Sequence, residues 1–314
     1  MNPWLLVLII ILALLALIIY SFCKTYHKAF RRAKPLPPYE LKCKNRLYAY
    51  QRALIRNYNW YISMPKKTIT VSASDNMKFK ASLLKNPNND SLLPTVILFC
   101  HGWHGSGEVD ISYFGSCLYD LGYDMFVIDH EGHGESDGRC IEFGVHARKN
   151  IPLWVNAVNK VYNHKCKIIL FGISMGGNEV LLNADQEMEN VKAIIADAGF
   201  TSAYEQMKYS IDVKARLSWL FMPAITTTAL LVDHLNLKKY STINTLKNSK
   251  YPVLFIHGDM DNIVPIEMTY RNYENCSSEK ELYVIKNAGH VLSYLVDKEK
   301  YIETVKKFIN KYVN

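Results

Sequence analysis

The sequence predicts an α/β fold: a mostly parallel, doubly wound sheet of about eight strands with helices on both faces and a small lid, preceded by one transmembrane helix. Short apolar runs that alternate with longer helical patterns indicate the sheet. A single long apolar segment at the start of the chain indicates the membrane helix. The 314 residues, 49% of them hydrophobic, suffice for one large buried core, whereas seven cysteines are too few for a disulfide scaffold.

The apolar segment covers residues 4–22 and contains no charged side chain. As a helix its nineteen residues span roughly 28 Å, close to the thickness of the bilayer core. A cleaved signal peptide is the alternative, but the segment lacks a basic start and a small-residue cleavage site. We therefore expect residues 1–23 to form a retained, single-pass membrane anchor.

The positive charge of the chain is confined to one stretch. Residues 24–67 hold twelve Lys and Arg against one acid, Glu40, whereas residues 68–314 hold 25 basic and 28 acidic side chains. A basic block directly after an apolar segment indicates contact with anionic lipid and argues against nucleic acid as a partner. The positive-inside rule predicts that the following domain lies on the cytoplasmic side of the cell membrane.

Residues 24–64 are predicted to form a basic juxtamembrane linker and a helix. Three prolines within 35–38 interrupt the chain, and the absence of Gly and Pro after them predicts a helix over 42–62. Two interpretations of this helix remain open, namely contact with anionic lipid or packing on the domain. The side chains that would contact lipid are Lys42, Lys44, Arg46, Arg52 and Arg56.

Residues 65–314 form the predicted domain, in which the first two strands flank Asp75-Asn76 as a hairpin. The predicted strands are 68–73, 77–84, 95–100, 124–129, 167–171, 191–196, 253–256 and 281–285. Helical patterns include 145–162 and 297–313. Several strands are unbroken apolar runs, as expected for strands covered on both faces. In such sheets the functional residues lie at the carboxyl ends of the strands.

A Gly-x-Ser-x-Gly sequence at 172–176 follows the strand 167–171 and opens a helical stretch. A serine on a sharp strand-to-helix turn is lifted to the edge of the sheet, and the flanking glycines leave room for it. The serine, Ser174, would need a base to remove its proton, and the base would need an acid to orient it. Candidate acids and a candidate base follow later strands: Asp259, Asp261 and His290. The order Ser, Asp, His is that of one hydrolase architecture.

At these positions the chain from about residue 65 to 314 resembles the α/β-hydrolase superfamily, and it is most similar to the bacterial serine-hydrolase branch of esterases, lipases and S33/S9-like peptidases. Four motifs in order carry the resemblance, at 101–105, 129–136, 172–177 and 257–265. The last matches the family pattern His-Gly-x-x-Asp-x-x-Val-Pro, which assigns the acid to Asp261 and not to Asp259. His290 matches the family base.

The resemblance implies a mechanism. Ser174 attacks a carbonyl carbon, His290 takes the serine proton and later delivers it to the leaving group, and Asp261 orients the imidazole. The backbone N–H groups of Trp103 and Met175 match the donors that stabilise the oxyanion. Water then hydrolyses the acyl-enzyme, and the resemblance implies neither a metal nor an organic cofactor.

The other notable polar residues have structural interpretations. His101 and His257 precede glycines at strand ends and are expected to be structural. His104 and His133 would line the pocket mouth or have no role, and Asp129 is expected to fix the turn after its strand. Three of these histidines, at 101, 104 and 133, are too far apart in sequence to favour a metal site.

Residues 200–250 are expected to contain the lid, because the stretch 219–232 is apolar for a surface excursion. The alternative is simple packing of this stretch against the sheet. An apolar lid beside a membrane anchor favours a lipophilic acyl ester or an aromatic ester as substrate, hence a carboxylesterase or lipase-like enzyme. A peptidase or amidase, a thioesterase, an acyltransferase and a non-catalytic scaffold remain alternatives. We expect removal of residues 1–34 to leave a soluble, active protein.

Overall fold

The strands form one eight-stranded sheet in the computed structural model, which describes residues 3–73 and 75–313. Residues 1, 2, 74 and 314 lie outside the described residues, and with them the outer ends of the predicted ranges 1–23 and 65–314. The strands are β1 (Lys67–Ser72), β2 (Lys78–Leu84), β3 (Thr95–Cys100), β4 (Asp124–Ile128), β5 (Lys167–Ile173), β6 (Val191–Asp197), β7 (Val253–Gly258) and β8 (Lys280–Ile285). All eight predicted strands are confirmed, with ends that differ by at most two residues.

The strand order is β1-β2-β4-β3-β5-β6-β7-β8. Strand β2 pairs antiparallel with β1, as the predicted hairpin, and also with β4. Every other neighbouring pair is parallel. Strands β3 and β4 are buried along their whole length, because their apolar runs are covered on both faces. The mostly parallel, doubly wound α/β sheet is therefore confirmed.

Helices cover the two faces of the sheet. The helices are α1 (Pro3–Phe30), α2 (Gln51–Ser63), α3 (Gly107–Asp110), α4 (Cys117–Asp120), α5 (Ala147–Val161), α6 (Met175–Leu181), α7 (Ala203–Ala215), α8 (Ser218–Val232), α9 (Thr242–Leu246), α10 (Ile266–Asn275), α11 (Ser293–Val296) and α12 (Lys298–Tyr312). One core layer contains Trp154 of α5 and Leu246 of α9, and the layer on the other face contains Tyr61 of α2 and Phe308 of α12. The sheet is therefore buried between two apolar layers, as its strand composition predicts.

Helix α1 is longer than the predicted apolar span, because it continues to Phe30. Among the described residues it is the helix long and apolar enough to cross a membrane, and its apolar window is not buried by the rest of the chain. The last turns of α1, in contrast, contain buried side chains. Tyr26 and Phe30 are buried in an apolar cluster that also contains Met175 and Met222. The end of α1 therefore packs on the domain.

The chain after α1 is joined to the domain through its backbone. The N–H of Ile141 donates to the carbonyl of Phe30 at 2.8 Å, and Arg31 forms a β-bridge with Cys140. The guanidinium of Arg32 donates to three carbonyls of the loop after β4, those of Gly134, Ser136 and Gly138. The start of the region predicted as a linker is thus held against the domain surface.

The helix predicted over 42–62 begins later, at Gln51, so its predicted start is corrected. Asn45 explains the difference, because its side chain accepts the N–H of Leu47 at 2.9 Å and stabilises a turn that competes with a helix. Packing on the domain, one of the two interpretations left open, is observed for α2, and contact of its basic side chains with anionic lipid stays a prediction. Leu54, Asn57 and Tyr61 form a buried stripe at helical spacing.

Helices α7, α8 and α9 lie between β6 and β7, within the range 200–250 predicted to contain the lid. Met222, Ile225 and Ala229 of α8 are buried in the cluster that contains Met175, the residue after Ser174. The inner side of α8 therefore packs beside the strand-to-helix turn. Other side chains of the same helix are exposed, including Trp219 and Leu231.

Candidate active site

Ser174 lies on the tight turn between β5 and α6. Its backbone has φ 52° and ψ −112°, a conformation that side chains with a Cβ rarely adopt and that stores strain. The flanking glycines permit the turn: a Cβ on Gly176 would overlap the carbonyl of Cys100, and a Cβ on Gly172 would overlap the backbone of Gly176. The Gly-x-Ser-x-Gly spacing thus follows from close backbone approach.

The three side chains at the ends of β5, β7 and β8 form one hydrogen-bonded chain. His290 Nε2 lies 2.9 Å from Ser174 Oγ, and His290 Nδ1 lies 2.6 Å from Asp261 Oδ2. His290 is 7% exposed, so the arrangement is largely removed from bulk water. With the carboxylate at Nδ1, the neutral tautomer carries its proton there and presents a free Nε2 to the serine. The structure therefore brings the predicted nucleophile, base and acid together.

His290 is one of several groups that contact the Asp261 carboxylate. Its Oδ1 accepts the N–H groups of Ile263 at 2.8 Å and Val264 at 3.0 Å, while Oδ2 also lies 3.1 Å from His257 Nε2. Burial alone would raise the pKa of Asp261, but the charge of His290 and the hydrogen bonds from His257 and His290 outweigh it. The pKa is held well below its ordinary value, so this carboxyl is an anion.

His257 is a contact of the acid that its sequence context did not indicate. Besides approaching Asp261, its Nδ1 lies 2.6 Å from the hydroxyl of Thr269, which fixes the ring. The competing carboxylate Asp259 accepts instead the N–H of Asn287 at 2.7 Å. These contacts give Asp261 and Asp259 different roles in the structure.

His290 is also contacted from the region before the domain. Arg46 Nη1 donates to the backbone carbonyl of His290 at 3.1 Å. Burial is the largest influence on the pKa of His290 and lowers it. The charge and hydrogen bond of Asp261 oppose this, and the nearby charge of Arg46 adds to the lowering. The net pKa is below the ordinary value, so the imidazole is neutral at pH 7 and has the state that a base requires.

The two predicted oxyanion donors belong to the start of α6 and to the loop after β3. Met175 is the first residue of α6, where a backbone N–H has no acceptor within its helix. Trp103 lies in the loop after β3, and a Cβ added to the neighbouring Gly102 would lie 3.5 Å from the Ser174 Cβ. The N–H of Gly102 donates to Asp110 Oδ2 at 2.7 Å, and this fixes the loop. Burial raises the pKa of Asp110 to about 7.

The loop after β3 also contacts helix α1. The indole Nε1 of Trp103 donates to the carbonyl of Ala29 at 3.0 Å, and the Trp103 ring stacks on His104 with centroids 3.7 Å apart. His104 has φ 59°, which turns the chain sharply at this point. The end of the apolar helix thus borders the predicted oxyanion loop. The one sequence feature that could have indicated this contact is the aromatic pair Tyr26 and Phe30 within a basic stretch.

A buried polar network supports this loop from beneath. The ring of His101 accepts the N–H of His130 at 3.1 Å, and His130 Nδ1 lies 2.9 Å from Glu179 Oε2 in α6. Glu179 is fully buried, and no sequence motif signalled it. As expected, Asp129 fixes its turn, accepting the N–H groups of Gly107 and Glu135 at 2.9 and 2.8 Å. Within residues 3–73 and 75–313 no group of three or more His, Cys, Asp or Glu has the arrangement of a metal site.

Comparisons with known proteins agree with the fold. A family model described as serine aminopeptidase, S33, matches residues 94–241. The uncharacterized protein YqkD of Bacillus subtilis is 30% identical over 219 residues, which are 69% of this chain and 72% of that protein. An uncharacterized membrane protein of Saccharomyces cerevisiae is 24% identical over 232 residues, 72% and 74% of the two chains. The esterase Pf2001 of Pyrococcus furiosus superposes with a TM-score of 0.63 at 20% identity over 81% of this chain and 95% of its own.

Proposed function

The chain belongs to the α/β-hydrolase superfamily and is a hydrolase, and from this premise we propose that it is a membrane-anchored serine hydrolase that cleaves a carboxylic ester. One observation carries the proposal: the hydrogen-bonded chain from Ser174 through His290 to Asp261. A non-catalytic scaffold would need no such chain. Each of the three groups is also in the protonation state or backbone conformation that nucleophilic catalysis requires.

In the proposed reaction, Ser174 Oγ forms a bond to the ester carbonyl carbon while its proton passes to His290 Nε2. The resulting imidazolium is stabilised by the Asp261 carboxylate at 2.6 Å. The imidazolium then gives the proton to the departing alkoxide, which leaves as the alcohol. Water, deprotonated by the same imidazole, attacks the acyl-enzyme and releases the carboxylic acid and free Ser174.

The negative charge on the former carbonyl oxygen would be stabilised by the backbone N–H groups of Met175 and Trp103. Donors of this kind typically contribute about 3 kcal/mol each to transition-state stabilisation. Gly102 and Asp110 hold the loop that carries the second donor. Met175 and His290 are buried, and electrostatic interactions at that side of the site are strengthened by the exclusion of water.

A lipophilic acyl ester or an aromatic ester fits the surroundings of the site. The apolar cluster beside the turn contains Phe143, Met175, Met222 and Ile225. The anchor, residues 1–23 in this proposal, would hold the domain at a lipid surface with its basic flank on the cytoplasmic side, as a single-pass protein. A relative in yeast is called a membrane protein. The description of the family model as a serine aminopeptidase favours a peptidase as the second candidate.

Covalent labelling tests the proposal. We expect a fluorophosphonate probe to phosphonylate the full chain in detergent, with the adduct located on the peptide that contains Ser174. Release of p-nitrophenol from p-nitrophenyl esters of graded chain length, compared with release of p-nitroaniline from aminoacyl p-nitroanilides, ranks ester against amide turnover. An adduct on another serine, or no adduct on the folded chain, would refute the mechanism, and faster amide cleavage would support the peptidase.

The pH dependence of kcat/KM provides a second prediction. Burial lowers the pKa of His290, so the neutral base persists below the ordinary imidazole pKa of about 6.5, and activity should fall only as the pH drops through a lower value. Arg46→Gln removes a charge that lowers this pKa and should move the acid limb to higher pH. Asp261→Asn removes a charge that raises it and should move the limb to lower pH, with a lower rate. An acid limb above pH 6.5 in the unmodified chain would contradict the assignment.

A further inference from the structure

Helix α8 has an outer face that no part of the described chain covers. Its buried positions, Ser218, Met222, Ile225 and Ala229, form one stripe at helical spacing. A helix on a water-exposed surface places charged residues opposite such a stripe, but α8 contains no charged residue. Trp219 is 73% exposed and Leu231 is 70% exposed. Exposed apolar groups of this size on one helix indicate a binding surface.

The carboxyl end of α8 is bonded to the end of the proposed anchor helix. Asp233, directly after α8, accepts a hydrogen bond from Arg31 Nη1 at 2.8 Å and another from the Tyr26 hydroxyl. Tyr26 lies four residues after Phe22, the last residue of the apolar segment, and this distance is about 6 Å along the helix axis. The carboxyl end of α8 is therefore within the headgroup layer of any bilayer that α1 spans.

The chain on both sides of α8 has the charge that suits an anionic lipid surface. The basic residues are Lys208, Lys214 and Arg216 before the helix and Lys238 and Lys239 after it. A cleft of about 590 Å³ between α7 and α8 is lined by Lys208, Arg216 and Trp219, together with the acid Asp212. Asp212 accepts from the N–H and hydroxyl of Ser218, so it is engaged in capping α8.

We propose that the outer face of α8 is a second membrane contact, lying in the boundary between headgroups and acyl chains of the bilayer that α1 spans. The inference rests on the proposed anchor. Interfacial helices combine an apolar face, Trp near the boundary and basic residues beside it, and α8 with its flanks has all three. Continuity with α1 selects the bilayer over a partner protein, because Asp233 is held at headgroup height.

Fluorescent labels at single cysteines test the contact in the full chain. Cys23 and Cys43, the exposed cysteines of the described residues, are first replaced by serine. Leu231→Cys then carries an environment-sensitive label. Leu92→Cys is the matched control, because Leu92 is 93% exposed on the loop before β3, at the sheet edge opposite the site. Both proteins are reconstituted into vesicles of phosphatidylcholine and phosphatidylglycerol.

We expect the label at 231 to be quenched about fivefold more strongly than the label at 92 by lipids with a spin label near the headgroup, as for a side chain 5–10 Å into the interface. Equal exposure of both labels to aqueous iodide, in chains that float with the vesicles, would overturn the inference and leave the anchor standing. Chains that do not float would overturn both. A label at 231 shielded from iodide but unquenched by lipid would show a second copy or a partner protein instead of the bilayer.

Discussion

Replacement of Ser174 by alanine is expected to lower kcat by about 10⁴- to 10⁶-fold, the range seen when the nucleophile of a serine triad is removed. Alanine keeps the Cβ and therefore the same strain at φ 52°, so the turn and the fold should be retained. The measurement is ester turnover beside thermal unfolding. Any residual activity is expected to come from the proposed oxyanion donors and substrate binding alone.

Ser202→Ala is the matched control for this substitution. Ser202 caps α7 by accepting the N–H of Glu205 at 3.2 Å, so its loss should cost about 1 kcal/mol of stability without a change in kcat. The two variants separate loss of chemistry from loss of stability. A Ser174→Ala protein that keeps a tenth of the activity would exclude this residue as the nucleophile.

Removal of residues 1–34 is expected to unfold or inactivate the domain, whereas removal of residues 1–20 should leave it folded. This reverses the expectation from the sequence, because the larger deletion takes Tyr26 and Phe30 out of a core cluster. Phe30 is fully buried, and truncation of such a side chain to alanine alone costs about 3–5 kcal/mol. Domains have in total only about 5–15 kcal/mol of stability.

Phe30→Ala in the full chain isolates the packing contribution. Its matched control is Leu14→Ala on the same helix, where the side chain is 55% exposed and contributes nothing to the core. Chemical denaturation in detergent measures the free energy of unfolding of both variants. If Phe30→Ala were as stable as Leu14→Ala, the packing of α1 on the domain would not hold in solution.

Much of the sheet could be predicted because its signal is local. An unbroken run such as Thr95–Cys100 marks a strand covered on both faces, and all six of its residues are buried. The turn around Ser174 could be predicted for the same reason, since the glycines on either side are required by close backbone contacts within and just beyond the turn. Family motifs assigned the acid of the triad to Asp261 and not to Asp259. In the structure Asp261 contacts His290, whereas Asp259 accepts the N–H of Asn287.

The contacts that the sequence did not reveal join residues far apart in the chain. Tyr26 contacts Asp233 across about two hundred residues, and hydrophobic periodicity cannot predict a contact between residues so far apart in sequence. Basic residues before the domain suggested lipid contact, yet Arg46 donates to the carbonyl of His290. Glu179 lies in a helix where an acid normally faces solvent, and only the fold shows that His130 is there to meet it.

The N–H of Ile141 donates to the carbonyl of Phe30, and Arg32 donates to a carbonyl of the loop after β4. No flexible linker therefore separates α1 from the domain. A domain on a loose stalk would sample many heights and headings above a bilayer. In the proposed anchored protein, α1 and the loop after β4 would move together, so the entrance to the site would keep a fixed orientation relative to the bilayer. For the proposed lipophilic ester, encounter with substrate would then be a lateral search in two dimensions, governed by its mole fraction in the bilayer and not by its concentration in water.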